Sequence, residues 1–187
     1  MRLYMIRHGE SEYNRLGLYT GWKQANLTEK GIADAETIRP ILEKIPFDKI
    51  YASDRIRAMQ TAEHALPGRE YEETSLIREI CLGSLEGTRI ADMTEEVHRK
   101  VLAIGYDAVG GEGRETFNNR IRSFLKTIES HGYENVAAFC HGGVLHEVLK
   151  IVLETPKPIG ALCSNCTIAV FSYEDGEWFL HSWINPM

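Results

Sequence analysis

Two histidines in this 187-residue chain stand where apolar runs end: Leu-Tyr-Met-Ile leads into Arg7-His8-Gly9, and Val-Ala-Ala-Phe-Cys leads into His141-Gly142-Gly143. Cationic or potentially cationic groups at the end of a core strand are costly to desolvate unless an anion meets them. Either a carboxylate elsewhere in the chain neutralises them, or a ligand does. A third run, Phe47 to Ala52, reaches Ser53 and then Arg55 and Arg57. Guanidinium groups bind two oxygens at once and stay charged. An imidazole with the ordinary pKa of about 6.5 is mostly neutral at pH 7 and so can act as a nucleophile. In α/β sheets, ligands bind beyond the carboxyl ends of the strands. His8, His141, Arg7 and Arg57 would then meet in one cleft, an anion trap on a chain whose formal net charge is -6.

The elements that would place them are legible in outline. Leu3 to Ile6 reads as a buried strand, because it barely alternates. A polar segment containing Gly9, Gly17 and Gly21 follows, up to Thr28, a helix N-cap. That helix runs to about Lys44, kinked or shortened at Pro40. After the strand Phe47 to Ala52, Ser53 or Asp54 caps a helix through about Leu66. The acidic cluster Glu70 to Glu73 reads as a solvated loop, and Ser75 to Gly87 as mixed structure with one short strand. A modest helix lies between Thr94 and Gly105, then a loop from Gly110 to Gly113. From Arg114 to Ser130, Phe117, Ile121, Phe124, Leu125 and Ile128 recur at helical spacing. Asn135 to Cys140 is a strand, Val144 to Leu153 a helix, and Thr167 to Tyr173 with Trp178 to Trp183 a closing hairpin. Strands alternating with helices give an α/β fold: one domain over 1–187, with a mostly parallel central sheet flanked by helices.

The bulk numbers narrow the classes. With 43% hydrophobic and 26% charged residues the composition is that of a globular protein. No run of five like charges occurs, so no nucleic-acid or anionic-membrane partner is expected. The N-terminal apolar run, about six residues, is too short for a signal peptide or a membrane span, and the cytoplasm is the expected location. Four cysteines, Cys81, Cys140, Cys163 and Cys166, would stay reduced there. Cys163 and Cys166 have the spacing of half a zinc site, but no second pair completes it. They read as buried thiols.

Arg7-His8-Gly9-Glu10-Ser11, Asn14, Thr20-Gly21-Trp22, Leu27 to Gly31, Ser53, Arg57-Ala58, Gln60-Thr61-Ala62, Glu79, Gly83, Glu86-Gly87 and His141-Gly142-Gly143 together resemble the histidine phosphatase superfamily, the phosphoglycerate-mutase-like proteins. The resemblance runs over essentially the whole chain. It implies that His8 is the nucleophile that becomes phosphorylated, and that Arg7, Arg57 and His141 surround the phosphoryl oxygens. Asn14 matches a further position in the phosphate pocket, Glu79 matches the proton donor, and Thr20, Gly21 and Gly142 match positions on the substrate. No metal and no cofactor are implied. The chemistry agrees: a phosphate monoester carries about -1.5 to -2, which two arginines, together with a histidine when protonated, would balance. Gly9 would keep His8 uncrowded and let the backbone approach the phosphate.

Bland readings stand beside these. His8 could be a core histidine paired with Glu10; Arg55 could take the place of Arg57, and Glu86 that of Glu79. His141, His146 and Glu147 could suggest zinc, although five residues along a helix leave the two imidazoles roughly 140° apart. Gly113 replaces a serine usual in the family, so the helix after it would lack its cap. The segment from Gly87 to Glu112 lacks the adjacent arginines and the insertion that mutases use; Arg89, Arg99 and Lys100 are its only cations. The expected activity is therefore release of phosphate from a small phosphorylated metabolite, such as a sugar phosphate, phosphoglycerate or the nucleotide-loop precursor of cobalamin. A cofactor-dependent phosphoglycerate mutase is the alternative among enzymes, and a catalytically silent phospholigand-binding module the alternative outside them. Nothing in the sequence gives the oligomeric state.

Overall fold

Six strands, β1 (Arg2–Arg7), β2 (Lys49–Ser53), β3 (Glu72–Thr74), β4 (Asn135–Cys140), β5 (Ile168–Glu174) and β6 (Glu177–Ile184), make one sheet in the order β3-β2-β4-β1-β5-β6. The computed structural model describes residues 1–155 and 160–186. β1 to β4 run parallel, β5 lies antiparallel to β1, and β6 closes the hairpin. The register between β1 and β4 pairs Arg7 with Cys140. The next residue on each strand is a histidine, so that register alone sets His8 beside His141.

Helices α1 (Glu12–Leu16), α2 (Glu29–Leu42), α3 (Ile56–Ala65), α4 (Glu95–Ala103), α5 (Arg114–Glu129) and α6 (Gly142–Val152) surround the sheet. Strand side chains alternate between faces, which gives two cores. Val136 and Ala138 pack with Ile121, Phe124 and Ile128 of α5 and Val148 of α6. Ala137 and Phe139 pack with Ile38 and Leu42 of α2 and Ala62 and Ala65 of α3. The five apolar residues expected on one face of α5 are all buried. Removing one such side chain, for example Phe124→Ala, costs about 3–5 kcal/mol.

Several local expectations are corrected. α1 was not expected; it is one short turn, held by a capping box between Ser11 and Asn14 and ended by Gly17 at φ 66. Ser53 and Asp54 do not cap α3, whose N-cap Arg55 makes no side-chain capping bond. The Ser53 hydroxyl meets His141, and Asp54 pairs with Arg55 and Arg78. α2 continues through Pro40 and ends two residues later. The acidic cluster is partly strand: Glu72 to Thr74 form β3 against β2. The segment after it holds 3₁₀ turns at Ser75–Ile77 and Gly83–Leu85 in place of a strand. α5 starts at Gly113 without a side-chain cap, as expected. No helix among the described residues is long and apolar enough to cross a membrane. All four cysteines are unpaired; Cys140 and Cys166 are buried, but Cys81 and Cys163 are only partly so.

Candidate active site

His8 follows β1 directly and is buried. Its Nδ1 lies 2.7 Å from the Gly9 carbonyl oxygen. A carbonyl only accepts, so Nδ1 carries the hydrogen, and in the neutral ring the lone pair is on Nε2. Burial, then Arg57 and Arg7, hold the His8 pKa well below the usual imidazole value. The backbone around it is fixed: the His8 carbonyl accepts from Asn165 Nδ2 at 3.0 Å and from the Cys166 N–H at 3.3 Å. Glu10 does not pair with His8; its carboxylate accepts from the Thr28 hydroxyl at 2.8 Å.

Gly9 has a reason other than the expected one. A methyl there would overlap the Gly31 carbonyl, and one at Gly31 would overlap the Glu10 carbonyl. The two glycines let the chain after β1 run against the first turn of α2. The Gly9 N–H donates to Thr61 Oγ1 at 3.0 Å, and that hydroxyl donates to the Arg57 carbonyl at 2.6 Å. The His8 loop and the helix carrying Arg57 are thereby tied together.

Arg57 is 1% exposed. It donates from Nη2 to Gly21 O at 2.8 Å and from Nη1 to Lys23 O at 3.0 Å. Burial pushes its pKa down to about 10, with Glu79 opposing, so it stays cationic at neutral pH. Arg7 donates from Nη1 to the Cys163 carbonyl. His141 lies with its ring centroid 5.3 Å from that of His8 and its Nε2 2.8 Å from Ser53 Oγ. Its pKa is also held well below the usual value, by burial and then by Arg57 and His8. Its environment therefore favours the neutral form of the second imidazole, in place of the protonated form that a phosphate would pair with. Among the described residues, the buried side-chain nitrogens and oxygens without any partner are Arg7 Nε, Arg57 Nε and His141 Nδ1. All three belong to groups that surround His8. Buried polar atoms are otherwise almost always paired.

Glu79 faces this group. Its Oε2 accepts from the Gly143 N–H at 3.0 Å and its Oε1 from the Ile80 N–H at 2.9 Å. A side chain at position 143 would strike that carboxylate. Glu86 is committed elsewhere: Oε1 accepts from the Trp22 N–H at 2.8 Å and the Leu82 N–H at 3.0 Å. Arg55 is turned away as well, onto Trp22 O and Asp54. Behind Glu79, Arg120 grips Glu112 through two bonds of 3.0 and 2.7 Å and reaches the carbonyls of Leu76, Arg78 and Glu79.

A cavity of about 270 Å³ brings Arg7, His8, Asn14, Thr20, Gly21, Arg57 and Glu79 together. Gly143, rather than Gly142, lines it; Gly142 packs on Arg7, where a methyl would sit 3.5 Å from Nε. Leu18, Tyr19, Ile80, Leu82, Ile90 and Tyr106 complete the walls, and no local sequence signal distinguishes these from ordinary apolar residues. Asn165, which braces His8, is a site residue the sequence reading does not single out; it lies within the Cys163–Cys166 pair, whose metal-like spacing masks it. His146 donates from Nε2 to Ala161 O at 2.9 Å, and Glu147 binds Asn118 and Lys150. No group of three or more histidine, cysteine or acidic residues among the described residues is arranged to hold a metal ion.

Comparison with known proteins agrees with this geometry. The profile of the histidine phosphatase superfamily (branch 1) matches residues 3–186. The chain is 34% identical over 164 residues to the adenosylcobalamin/alpha-ribazole phosphatase of Salmonella typhimurium, covering 83% of this chain and 81% of that enzyme. It is 32% identical over 174 residues to the 2,3-bisphosphoglycerate-dependent phosphoglycerate mutase of Brucella melitensis, covering 84% of each. The crystal structure of the alpha-ribazole phosphatase from Shigella flexneri superimposes with a TM-score of 0.83 at 26% identity, over 98% of this chain and 96% of the other.

Proposed function

The chain belongs to the histidine phosphatase superfamily, and from that premise we propose that it is a phosphomonoesterase acting through a phosphohistidine at His8 on a small phosphorylated metabolite. The observation that carries this reading is the set of three unpartnered buried nitrogens, on Arg7, Arg57 and His141, around an imidazole whose Nε2 lone pair is free. The Arg7 and Arg57 Nε–H groups are donors, and His141 Nδ1 joins them in the tautomer in which Nε2 accepts from the Ser53 hydroxyl, a set that suits the acceptor oxygens of a phosphoryl group.

The steps follow from the geometry. The substrate phosphate sits against Arg7, Arg57 and His141, with Asn14, Thr20 and Gly21 around it. His8 Nε2 attacks phosphorus; the P–N bond forms as the P–O bond to the alcohol breaks. The departing oxygen takes a proton from Glu79, whose carboxyl lines the same cavity as His8. Water then attacks the phosphohistidine, giving its proton back to Glu79 as the P–N bond breaks and phosphate leaves. The covalent step divides one high barrier into two, and the guanidinium groups supply the fixed positive charge that phosphoryl transfer requires. No step draws on a metal or cofactor.

Hydrolysis is favoured over mutase chemistry by the cations of the segment between Gly87 and Glu112. A mutase must hold a phosphorylated acid, yet neither Arg89, Arg99 nor Lys100 lines the cavity, and Lys100 pairs with Glu96 on the surface. His8 and His141 follow two strands of the single sheet, and Arg57 and Glu79 stand on segments packed around it, so residues 1–187 act as one catalytic domain, and four unpaired cysteines fit a cytoplasmic setting. The test is phosphate release from p-nitrophenyl phosphate by wild type and His8→Ala. The variant should lose at least about a thousandfold, and equal rates would end the phosphatase reading and the silent-module alternative would take its place.

A further inference from the structure

Resting on the phosphatase reading above, we infer that a second cavity beside the phosphate pocket seats the alcohol part of the substrate, and that this part is a neutral, largely apolar group of ring size rather than a small acid. The second cavity measures about 420 Å³ and shares Ile80, Tyr106 and Gly143 with the phosphate cavity. A proton donor must reach the oxygen that leaves, so the alcohol lies on the Glu79 side of the phosphate. Glu79 marks the shared boundary: it is the chain neighbour of Ile80, and its Oε2 accepts from the Gly143 N–H. An alcohol larger than a few atoms, once its oxygen is within reach of Glu79, continues into the second cavity.

The walls there set its chemistry. Val101, Leu102 and Phe117 add apolar surface to Ile80 and the ring of Tyr106. The cations at the rim are turned to the protein. Arg114 Nη2 donates to the carbonyls of Val101 at 3.0 Å and Leu102 at 2.7 Å, at the end of α4, and Lys150 pairs with Glu147 at 2.6 Å. A carboxylate would exchange water for a mostly apolar surface, which is unfavourable, whereas a ring gains from burial. The volume is within the ordinary range of small-molecule sites.

The experiment compares esters that share a primary alkoxide leaving group, so intrinsic reactivity stays nearly constant: ethyl phosphate, 2-phenylethyl phosphate and O-phosphoserine. We expect kcat/KM to be at least about tenfold higher for the phenylethyl ester than for the other two. Leu102→Gln, at a position 61% exposed and so tolerant of change, should shrink that advantage. Equal rates on ethyl and phenylethyl phosphate, a preference for phosphoserine, or an advantage untouched by Leu102→Gln would overturn the assignment while leaving the phosphatase reading intact. No turnover of any ester, with p-nitrophenyl phosphate included as a control, would remove both.

Discussion

At the phosphate end of the site, His8 and His141 sit one residue beyond two adjacent parallel strands, and Ser53 is the last residue of the next strand along. At the leaving-group end, Glu79 lies in the irregular stretch between the 3₁₀ turns Ser75–Ile77 and Gly83–Leu85, and the walls beyond it come from that stretch, the short helix α4 and α5. The first end is determined many times over. Strand register, the contact of Gly9 with Gly31 and the chain of bonds from Gly9 through Thr61 to Arg57 all specify the same geometry. The second end has a small core of Leu82, Leu85 and Val101, and it is gathered mainly by one buried ion pair, Glu112 with Arg120. On the proposed function, the chemistry common to all phosphomonoesters falls on the rigid half, and the part of the pocket that must suit one substrate falls on the half with fewer constraints.

The largest test of this contrast is Arg120→Gln. It strips the partner from a carboxylate whose side chain is 6% exposed and releases the carbonyls of Leu76, Arg78 and Glu79. A loss of about 3 kcal/mol is expected in urea unfolding, with kcat falling more than KM rises because Glu79 loses its support. If activity were untouched, the leaving-group end would be as firmly set as the other.

The phosphate end makes a prediction about pH. Its two imidazoles are held neutral by burial and Arg57, well below their ordinary pKa, so below about pH 6.5 the unfolded chain binds more protons than the folded one. Stability from these rings is complete above that pH and declines as pH falls, by up to about 1.4 kcal/mol per pH unit for each ring. Melting temperatures between pH 7.5 and 5 should drop, and His141→Asn should flatten the slope. An identical slope in the variant would mean that His141 is not held neutral.

The smallest effect is expected at the start of α5. Gly113 has extended backbone, φ -66 and ψ 150, and space for a side chain. Gly113→Ser should add a few tenths of a kcal/mol by capping the helix, read as a small rise in melting temperature without change in kcat/KM.

Which parts of this were legible in the chain follows from range. The run Asn135 to Cys140 and the spacing of Phe117 to Ile128 carry their own periodicity, because strand and helix faces are set by neighbours a few residues away. The residues after each apolar run therefore have to reach the same edge of the sheet, which brings His8 and His141 side by side with Arg7 and places Arg55 and Arg57 near them. Where polar groups compete for partners, the local pattern misled. Ser53 looked like a helix cap, but its hydroxyl faces His141, a residue 88 positions away.

By itself, then, the amino-acid order determined the parallel α/β framework, the histidine pair and the excess of fixed positive charge at its edge, since each depends on short-range pattern. Tertiary structure alone decided that Arg57 and Glu79 face the cavity while Arg55 and Glu86 turn to backbone partners elsewhere. It also decided that Gly9 serves contact with Gly31, and that Ile80, Tyr106 and Gly143 join two cavities. The reason is physical: a side chain's direction is fixed by which distant donor, acceptor or wall reaches it first, and that is a property of the packed chain, not of its neighbours in sequence.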